Sequence, residues 1–347
     1  MRVTGVVLER PRSLSIRDIE VPWPSEPGPN EVLIDVNTVG ICGSDVHYYE
    51  FGNIGDFVVK EPMILGHEAS GTVRQVGSAV KHLSVGDRVC MEPGIPDFAS
   101  VETLKGMYNL DPSVRFWATP PIHGCLTPQI VHPAALTYRL PDSVSFAEGA
   151  LVEPLAIGVY ASKKAQIQPG DIAIVTGAGT IGMMVVFSAL AAGCAEIIVS
   201  DFATAKLALL SGRPEITVVD LNTDNLAEVV AERTNGRGAD VFFEASGSTK
   251  PFETMFKLVA PGGRVVLVGM PAEMPAFDVV ALEVKEISLT GTFRYANVWD
   301  RTLNLLGSGK IDVKALISET YPFERSIEAF ERAAEHRPQD VKIQIAL

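Results

Sequence analysis

At 347 residues the chain is longer than one hydrophobic core usually extends, so two domains are expected. Its composition, 47% hydrophobic and 20% charged, is that of an ordinary globular protein, and a net charge of −13 with no basic stripe argues against nucleic acid as a partner. The N-terminus MRVTGVVLERPRS lacks the apolar core of a signal peptide, and the longest apolar run, around 181–195, is too short and too glycine-punctuated to span a bilayer. The four cysteines, Cys42, Cys90, Cys125 and Cys194, form no CxxC pair, which fits a reduced, cytoplasmic setting.

From Val3 to Pro93 the signals are short, β-rich and separated by proline, glycine and charge. Alternation over Val32–Val36, a second run over Gly71–Val76 and a turn feeding a strand over Val85–Glu92 predict a small, irregular, mostly β body. Within it the stretch Gly40–Gly71 opens with GICGSDVHYYE and closes with LGHEASG, gathering Cys42, Ser44, Asp45, His47, His67 and Glu68. A cysteine thiolate and a neutral histidine suit zinc, and one carboxylate with an open fourth position for water is the donor pattern of a catalytic zinc site. Taken singly, Cys42 reads as a small buried hydrophobe and His67 as a core histidine; set beside glycines and a carboxylate, they point to a metal.

The segment Glu92–Thr119 is long for a loop and needs a function or a clamp. Asp97, Ser100, Thr103 and Asp111 are not a zinc-binding set, so its apolar residues, Phe98, Leu104, Met107, Tyr108 and Leu110, are expected to anchor it by packing. Ser145 is placed to cap a helix carrying Glu148, and Glu153, before Pro154 in an apolar run, is a candidate functional carboxylate.

From Gly170 strands alternate with helices, which predicts a doubly wound parallel sheet. Gly177, Gly179 and Gly182 form GxGxxG between a strand over Ile172–Thr176 and a helix running to about Ala192, a turn that brings backbone and helix N-terminus to a pyrophosphate. Asp201 ends the next strand, where a carboxylate accepts from the adenosine ribose hydroxyls and repels a 2′-phosphate, favouring NAD; Lys206 near the same ribose complicates that preference. The return segment from about Gly291, with Ile327, Phe330 and Ala334 at helical spacing, is expected to complete the first domain. The expected organisation is a catalytic domain over 1–155 and 291–347, a coenzyme domain inserted at 156–290, and an active site in the cleft between them.

Together GICGSDVHYYE, LGHEASG, RFWATPP, LVEPLAIGVYA, GAGTIG and GTFRY resemble the zinc-containing medium-chain dehydrogenase/reductase family over nearly the whole chain. Within that family the chain is similar to polyol dehydrogenases of the sorbitol/xylitol type, the bacterial NAD-dependent xylitol dehydrogenases above all. The resemblance implies a Rossmann coenzyme domain in a discontinuous GroES-like catalytic domain. It makes Cys42, His67 and Glu68 zinc ligands, with water in the fourth position and Glu153 bound to that water or exchanging with it at the metal. Ser44, Glu153, Arg294 and Tyr295 would hold substrate hydroxyls, and Tyr49, Phe116 and Thr119 would line the pocket. Arg294 offers several fixed donors, which suits a polyhydroxylated substrate. Gly177, Gly179, Thr180, Ile181, Gly182, Asp201, Lys206, Ser246, Val268, Gly269, Phe293 and Arg294 would bind NAD.

The implied reaction is reversible hydride transfer between a sugar alcohol and NAD, xylitol to D-xylulose or sorbitol to fructose. The proton would leave through Ser44 with His47, or through Glu153 and water. Two rivals remain: oxidation of an amino alcohol such as threonine on the same fold, or a nucleotide-binding protein without catalysis. Many relatives hold a second, structural zinc with four cysteines at positions matching Asp97, Ser100, Thr103 and Asp111, so one zinc per chain is expected here. A homo-oligomer, tetramer or dimer, is also expected, with the run VVLVGM at 265–270 as a candidate dimer contact.

Overall fold

The computed structural model describes residues 1–347. The chain divides into two compact units, one formed by Met1–Glu153 and Trp299–Leu347, the other by Pro154–Val298.

In the first unit the strand Glu31–Gly40 is central to a seven-stranded sheet. Val32, Ile34 and Val36 alternate into a core that also takes in Tyr49 and Phe330, so the period-2 pattern buries one face of the strand. The order across the sheet is Thr137–Arg139, Arg88–Met91, Glu68–Val76, Glu31–Gly40, Lys342–Ala346 and Ile317–Pro322, with Gln129–Pro133 also paired to Glu31–Gly40. Every pair is antiparallel except the last two strands, which run parallel. Gly40 lies opposite Glu68 on one side and Gln344 on the other. The C-terminal strand is thereby registered on the same point of the sheet as the GHE segment.

The loop over 92–119 is held by polar contacts, which corrects the expectation of apolar anchoring. Phe98, Leu104, Met107 and Leu110 are exposed, Leu104 by 75%. Asp111 instead accepts from the Asp97 amide at 2.6 Å, the Ser113 amide at 3.0 Å and the Ser113 hydroxyl at 2.8 Å. Ser100 caps the short helix Val101–Leu104 and bonds the Thr103 hydroxyl at 2.9 Å. Asp97, Ser100, Thr103 and Asp111 are thus tied through their short oxygen side chains to one another and to nearby amides. At the root of the loop, Glu92 is buried and accepts from the Tyr108 hydroxyl at 2.7 Å and the Tyr138 hydroxyl at 3.0 Å.

The second unit is built on six parallel strands in the order Ile216–Asp220, Glu196–Asp201, Ile172–Thr176, Ala239–Glu244, Val259–Leu267, Ser288–Gly291. Ile197 to Ser200 are buried without alternation, as expected of a parallel strand covered on both faces. The helix Thr180–Ala192 is apolar all round and buried from Gly182 to Ala189. Strand order reverses direction between Ile172–Thr176 and Ala239–Glu244, which creates the crevice where doubly wound sheets bind ligands. The run at 265–270 lies near the end of the sheet, in and just after the strand Val259–Leu267, which is paired on its outer side with the last strand, Ser288–Gly291. No helix is long and apolar enough to cross a membrane.

Candidate active site and cofactor pocket

The donor cluster forms where the strand Glu31–Gly40 ends. Cys42 is the N-cap of the helix Gly43–Phe51, and its backbone N–H donates to Asp45 Oδ2 at 3.1 Å. Asp45 Oδ1 takes the Gly66 N–H at 3.0 Å, pinning the GHE turn to this helix. His67 Nδ1 faces Asp45 Oδ2 at 3.4 Å, which leaves Nε2 as the nitrogen for a metal. One buried carboxylate thus orients both the cysteine and the histidine.

Donor atoms of Cys42, His67 and Glu68 lie within 4.8 Å of one another, and His67 and Glu68 are buried. One thiol, one imidazole and one carboxylate in so small a space match the three-ligand pattern of an open zinc site, with bonds of roughly 2.0–2.3 Å. Gly40 makes room for the carboxylate, because a Cβ there would overlap Glu68 Oε2. Burial alone would depress the His67 pKa, but Asp45 and Cys42 outweigh it and hold His67 well above its ordinary value. A metal takes the imidazole in its neutral form, and the hydrogen bond at Nδ1 decides which nitrogen is offered.

Lys342, from the C-terminal strand, was not visible as a site residue in the sequence. Its Nζ donates to both carboxylate oxygens of Glu68 at 2.7 Å each, and to the Ile41 carbonyl at 3.0 Å. Burial would lower its pKa, yet Glu68, Cys42 and Glu153 together raise it, so it stands as a cation behind the ligand set. Asp45 was within reach of sequence reasoning, since it sits three residues after Cys42 in GICGSDVH. Lys342 is 274 residues from Glu68 and has no motif around it.

Ser44 and His47 are one turn apart on the helix Gly43–Phe51 and share a face. His47 is exposed, with Nδ1 2.7 Å from the Asn53 carbonyl. The ring of Phe116 lies 5.6 Å from that of His67, and Thr119 is held in the same turn by its N–H bond to the Phe116 carbonyl. Glu153 is buried in the first turn of the helix Val152–Lys164 and adds charge repulsion at Glu92 and attraction at Lys342. It is not in the three-residue cluster. Tyr49 requires a correction: its ring packs against Phe330 at 6.0 Å, with Glu331, Arg12 and Glu50 as the charges acting on its hydroxyl. That is a core position, not a pocket wall.

In the second unit a cavity of about 610 Å³ opens at the carboxyl ends of the strands, lined among others by Gly177, Gly179, Asp201, Lys206 and Ser246. Its size and place suit an adenosine moiety. Gly182 permits the turn to close, since a Cβ there would overlap the Gly177 carbonyl oxygen. Thr180 and Ile181 begin the helix that follows. Asp201 accepts from the Ala178 N–H at 2.5 Å and the Ala203 N–H at 2.8 Å, so it fixes the glycine turn as well as facing the cavity. Glu244, unremarked in the sequence, has the matching role at the end of the strand Ala239–Glu244. Its carboxylate takes the Ser246 N–H at 2.9 Å and the Gly247 N–H at 3.3 Å, while its carbonyl takes the N–H groups of Val268 and Gly269 at 2.8 Å each. A carboxylate ending the apolar run FFE was the available signal. Arg294 has positive φ and lies over the Phe293 ring at 4.7 Å; Tyr295 is buried. Both belong to the second unit.

Comparison with known proteins bears on this arrangement. Residues 28–142 match the alcohol dehydrogenase GroES-like domain, and residues 180–308 match the zinc-binding dehydrogenase domain. The chain is 52% identical to the D-xylulose reductase of Morganella morganii over 338 residues, covering 96% of this chain and 98% of that one. It is 41% identical to human sorbitol dehydrogenase over 329 residues, 94% of this chain and 91% of that one. The chain belongs to the zinc-containing medium-chain dehydrogenases of polyol type. Among solved structures, L-idonate 5-dehydrogenase from Escherichia coli superposes on this polyol dehydrogenase with a TM-score of 0.91, 28% identity, and coverage of 100% of this chain and 99% of that one. Zinc and NAD are the cofactors of this dehydrogenase, and the Cys42–His67–Glu68 cluster fits the catalytic zinc.

Proposed function

We propose that the chain oxidises a secondary hydroxyl of a sugar alcohol with NAD, xylitol to D-xylulose foremost and sorbitol to fructose as the second substrate. The observation that carries this reading is the Cys42–His67–Glu68 cluster, in a chain similar along nearly its whole length to a D-xylulose reductase and to a sorbitol dehydrogenase. Zinc, when bound, supplies Lewis acidity that favours loss of the alcohol proton, and NAD takes up the hydride. The chain's own residues do the rest. Asp45 fixes the Cys42 and His67 donors, and the Phe116 ring beside His67 shields the site from bulk water. Ser44 takes the hydroxyl proton and His47, one turn along the same helix and open to solvent, releases it. Glu153 is the alternative proton carrier, and Thr119, Arg294 and Tyr295 are assigned to substrate.

Zinc is assigned to the first unit and NAD to the second. One zinc per chain is proposed, since the positions matching the second zinc's cysteines carry oxygen side chains already engaged, Asp111 with the Asp97 amide and Ser100 with the Thr103 hydroxyl. A homo-oligomer in the cytoplasm is proposed as well. Exposed Met270, Met274, Val280 and Val284 near the outer strand, and exposed Phe98, Leu104 and Leu110 on the loop, support the oligomer. The test is NADH formation with xylitol, sorbitol, ribitol, threonine and ethanol, alongside metal content. Turnover of polyols at about one zinc per chain, lost together with zinc in Cys42→Ala and His67→Ala, is the expected result. Preference for threonine, or silence across the panel with zinc bound, overturns it; a monomer in light scattering overturns the oligomer.

A further inference from the structure

The cation behind the zinc ligands is more than a counter-ion. Lys342 spends its three N–H groups on Glu68 Oε1, Glu68 Oε2 and the Ile41 carbonyl, so neither the ammonium nor the carboxylate can turn without breaking a bond. Both side chains are almost wholly buried, at 3% and 1% exposure, so solvent does not screen the pair. The strand register fixes the lysine's place, because Gly40 pairs with Glu68 on one side and with Gln344, two residues beyond Lys342, on the other. The missing side chain at Gly40 gives Glu68 the volume it needs between them.

A carboxylate has about four lone-pair sites, and Lys342 takes two of the four at Glu68, one on each oxygen. Glu68 can still donate to a metal, but from oxygens already polarised toward the ammonium. Thiolate, neutral imidazole and carboxylate together carry two negative charges, and Lys342 returns one positive charge to that set. We infer that Lys342 is a positioning residue that holds Glu68 partly withdrawn from the metal, weakening its donation and keeping the bound zinc electron-poor. This rests on the zinc reading of the Cys42–His67–Glu68 cluster.

The consequence runs against the usual effect of deleting an outer-shell partner, which is to loosen a metal. Replacing the lysine with a neutral side chain frees both Glu68 oxygens and removes a cation that repels zinc. The test uses the full-length protein loaded with zinc or with cobalt(II), in wild type, Lys342→Met and Lys342→Arg. In K342M, zinc should pass to a competing chelator about tenfold more slowly or less readily still, the size of effect typical of outer-shell changes. The visible absorption of the cobalt protein should shift as Glu68 donates more strongly, and kcat should fall more than KM rises. K342R, which keeps a cation on the carboxylate, should restore the wild-type spectrum. If K342M does not fold, Lys342→Gln keeps a donor for the Ile41 carbonyl and reads the same quantities.

Faster release of zinc from K342M would mean that the lysine presents Glu68 to the metal, and would overturn the inference. So would a cobalt spectrum that is unchanged, or one that shifts equally when K342M is placed in a Glu68→Gln background, since Lys342 must act through Glu68. Cobalt content unaffected by Cys42→Ala would overturn the zinc reading itself, and the inference with it.

Discussion

Glu92 is a carboxyl group buried at the root of the long loop, and its ionisation should set much of the pH dependence of stability. Burial raises its pKa from 4.5 to about 7, the bonds from Tyr108 and Tyr138 pull it back to some extent, and Glu153 and Asp300 push it up further. The unfolded chain gives up this proton near 4.5, whereas the folded chain keeps it until about 7. Below the first value the group is neutral in both states and costs nothing. Through the window the folded state binds more protons, so stability falls as pH rises. Above about 7 the charge is buried in full, and at about 1.4 kcal/mol per pKa unit the loss amounts to about 3 kcal/mol. Glu92→Gln mimics the neutral acid and keeps an oxygen acceptor for one of the two tyrosines. Urea unfolding of both proteins, zinc-loaded, from pH 4.5 to pH 8 isolates Glu92, because the other titrating groups cancel in the difference. The variant should gain on the wild type by about 3 kcal/mol across that range, most of it between pH 5 and pH 7. Two parallel stability curves would refute the reasoning and show that Glu92 is solvated when ionised.

Three further outcomes follow from the geometry. Asp45→Asn loses the charge that orients Cys42 and His67 and should weaken zinc binding by about 10–100-fold in chelator competition; unchanged affinity would remove Asp45 from the site. Asp201→Ala deletes the acceptor of the Ala178 and Ala203 amides and the carboxylate in the cofactor cavity, so KM for NAD should rise about tenfold or more while discrimination against NADP shrinks, read as the ratio of kcat/KM values. Asp111→Ala unties the loop over 92–119, so limited proteolysis should cut within 97–111 faster than in wild type while kcat stays close to normal; equal cleavage rates would show that the polar cluster does not hold the loop.

The coenzyme unit was legible because its signals are local and repeated. The strand Ile172–Thr176 and the helix Thr180–Ala192 lie where apolar runs and glycines placed them, and a parallel sheet buried on both faces writes its strands as unbroken hydrophobic stretches. Ser145 caps its helix and Glu148 reaches back to the Ser145 amide, a reciprocal pair confined to four residues. The loop over 92–119 misled because exposed apolar side chains such as Leu104 look the same in sequence as buried ones. What holds that loop is a set of amide-to-oxygen bonds around Asp111, and aspartate, serine and threonine are too common in loops to announce such a cluster. Tyr49 failed for a related reason. An aromatic residue one turn beyond a ligand can face the ligand or the core, and only the packing against Phe330 decides.

The zinc site divides along the same line. Cys42 and Asp45 share one helical turn, and His67 and Glu68 are neighbours, so each pair could be found as a motif. Their approach depends on the pairing of Gly40 with Glu68 across the sheet, a register that the GHE and GICGSD motifs bracket without stating. The charge on that site depends on a second register, Gly40 with Gln344, which carries Lys342 to Glu68 from the far end of the chain. A one-residue slip of the C-terminal strand would turn Lys342 to the other face of the sheet and leave the Glu68 carboxylate buried without its cation. Breaking such a buried pair costs about 3–5 kcal/mol, so the ion pair and the strand register enforce each other. The last strand of the chain therefore belongs to the metal site, although no residue in it lies in a recognisable metal-binding motif.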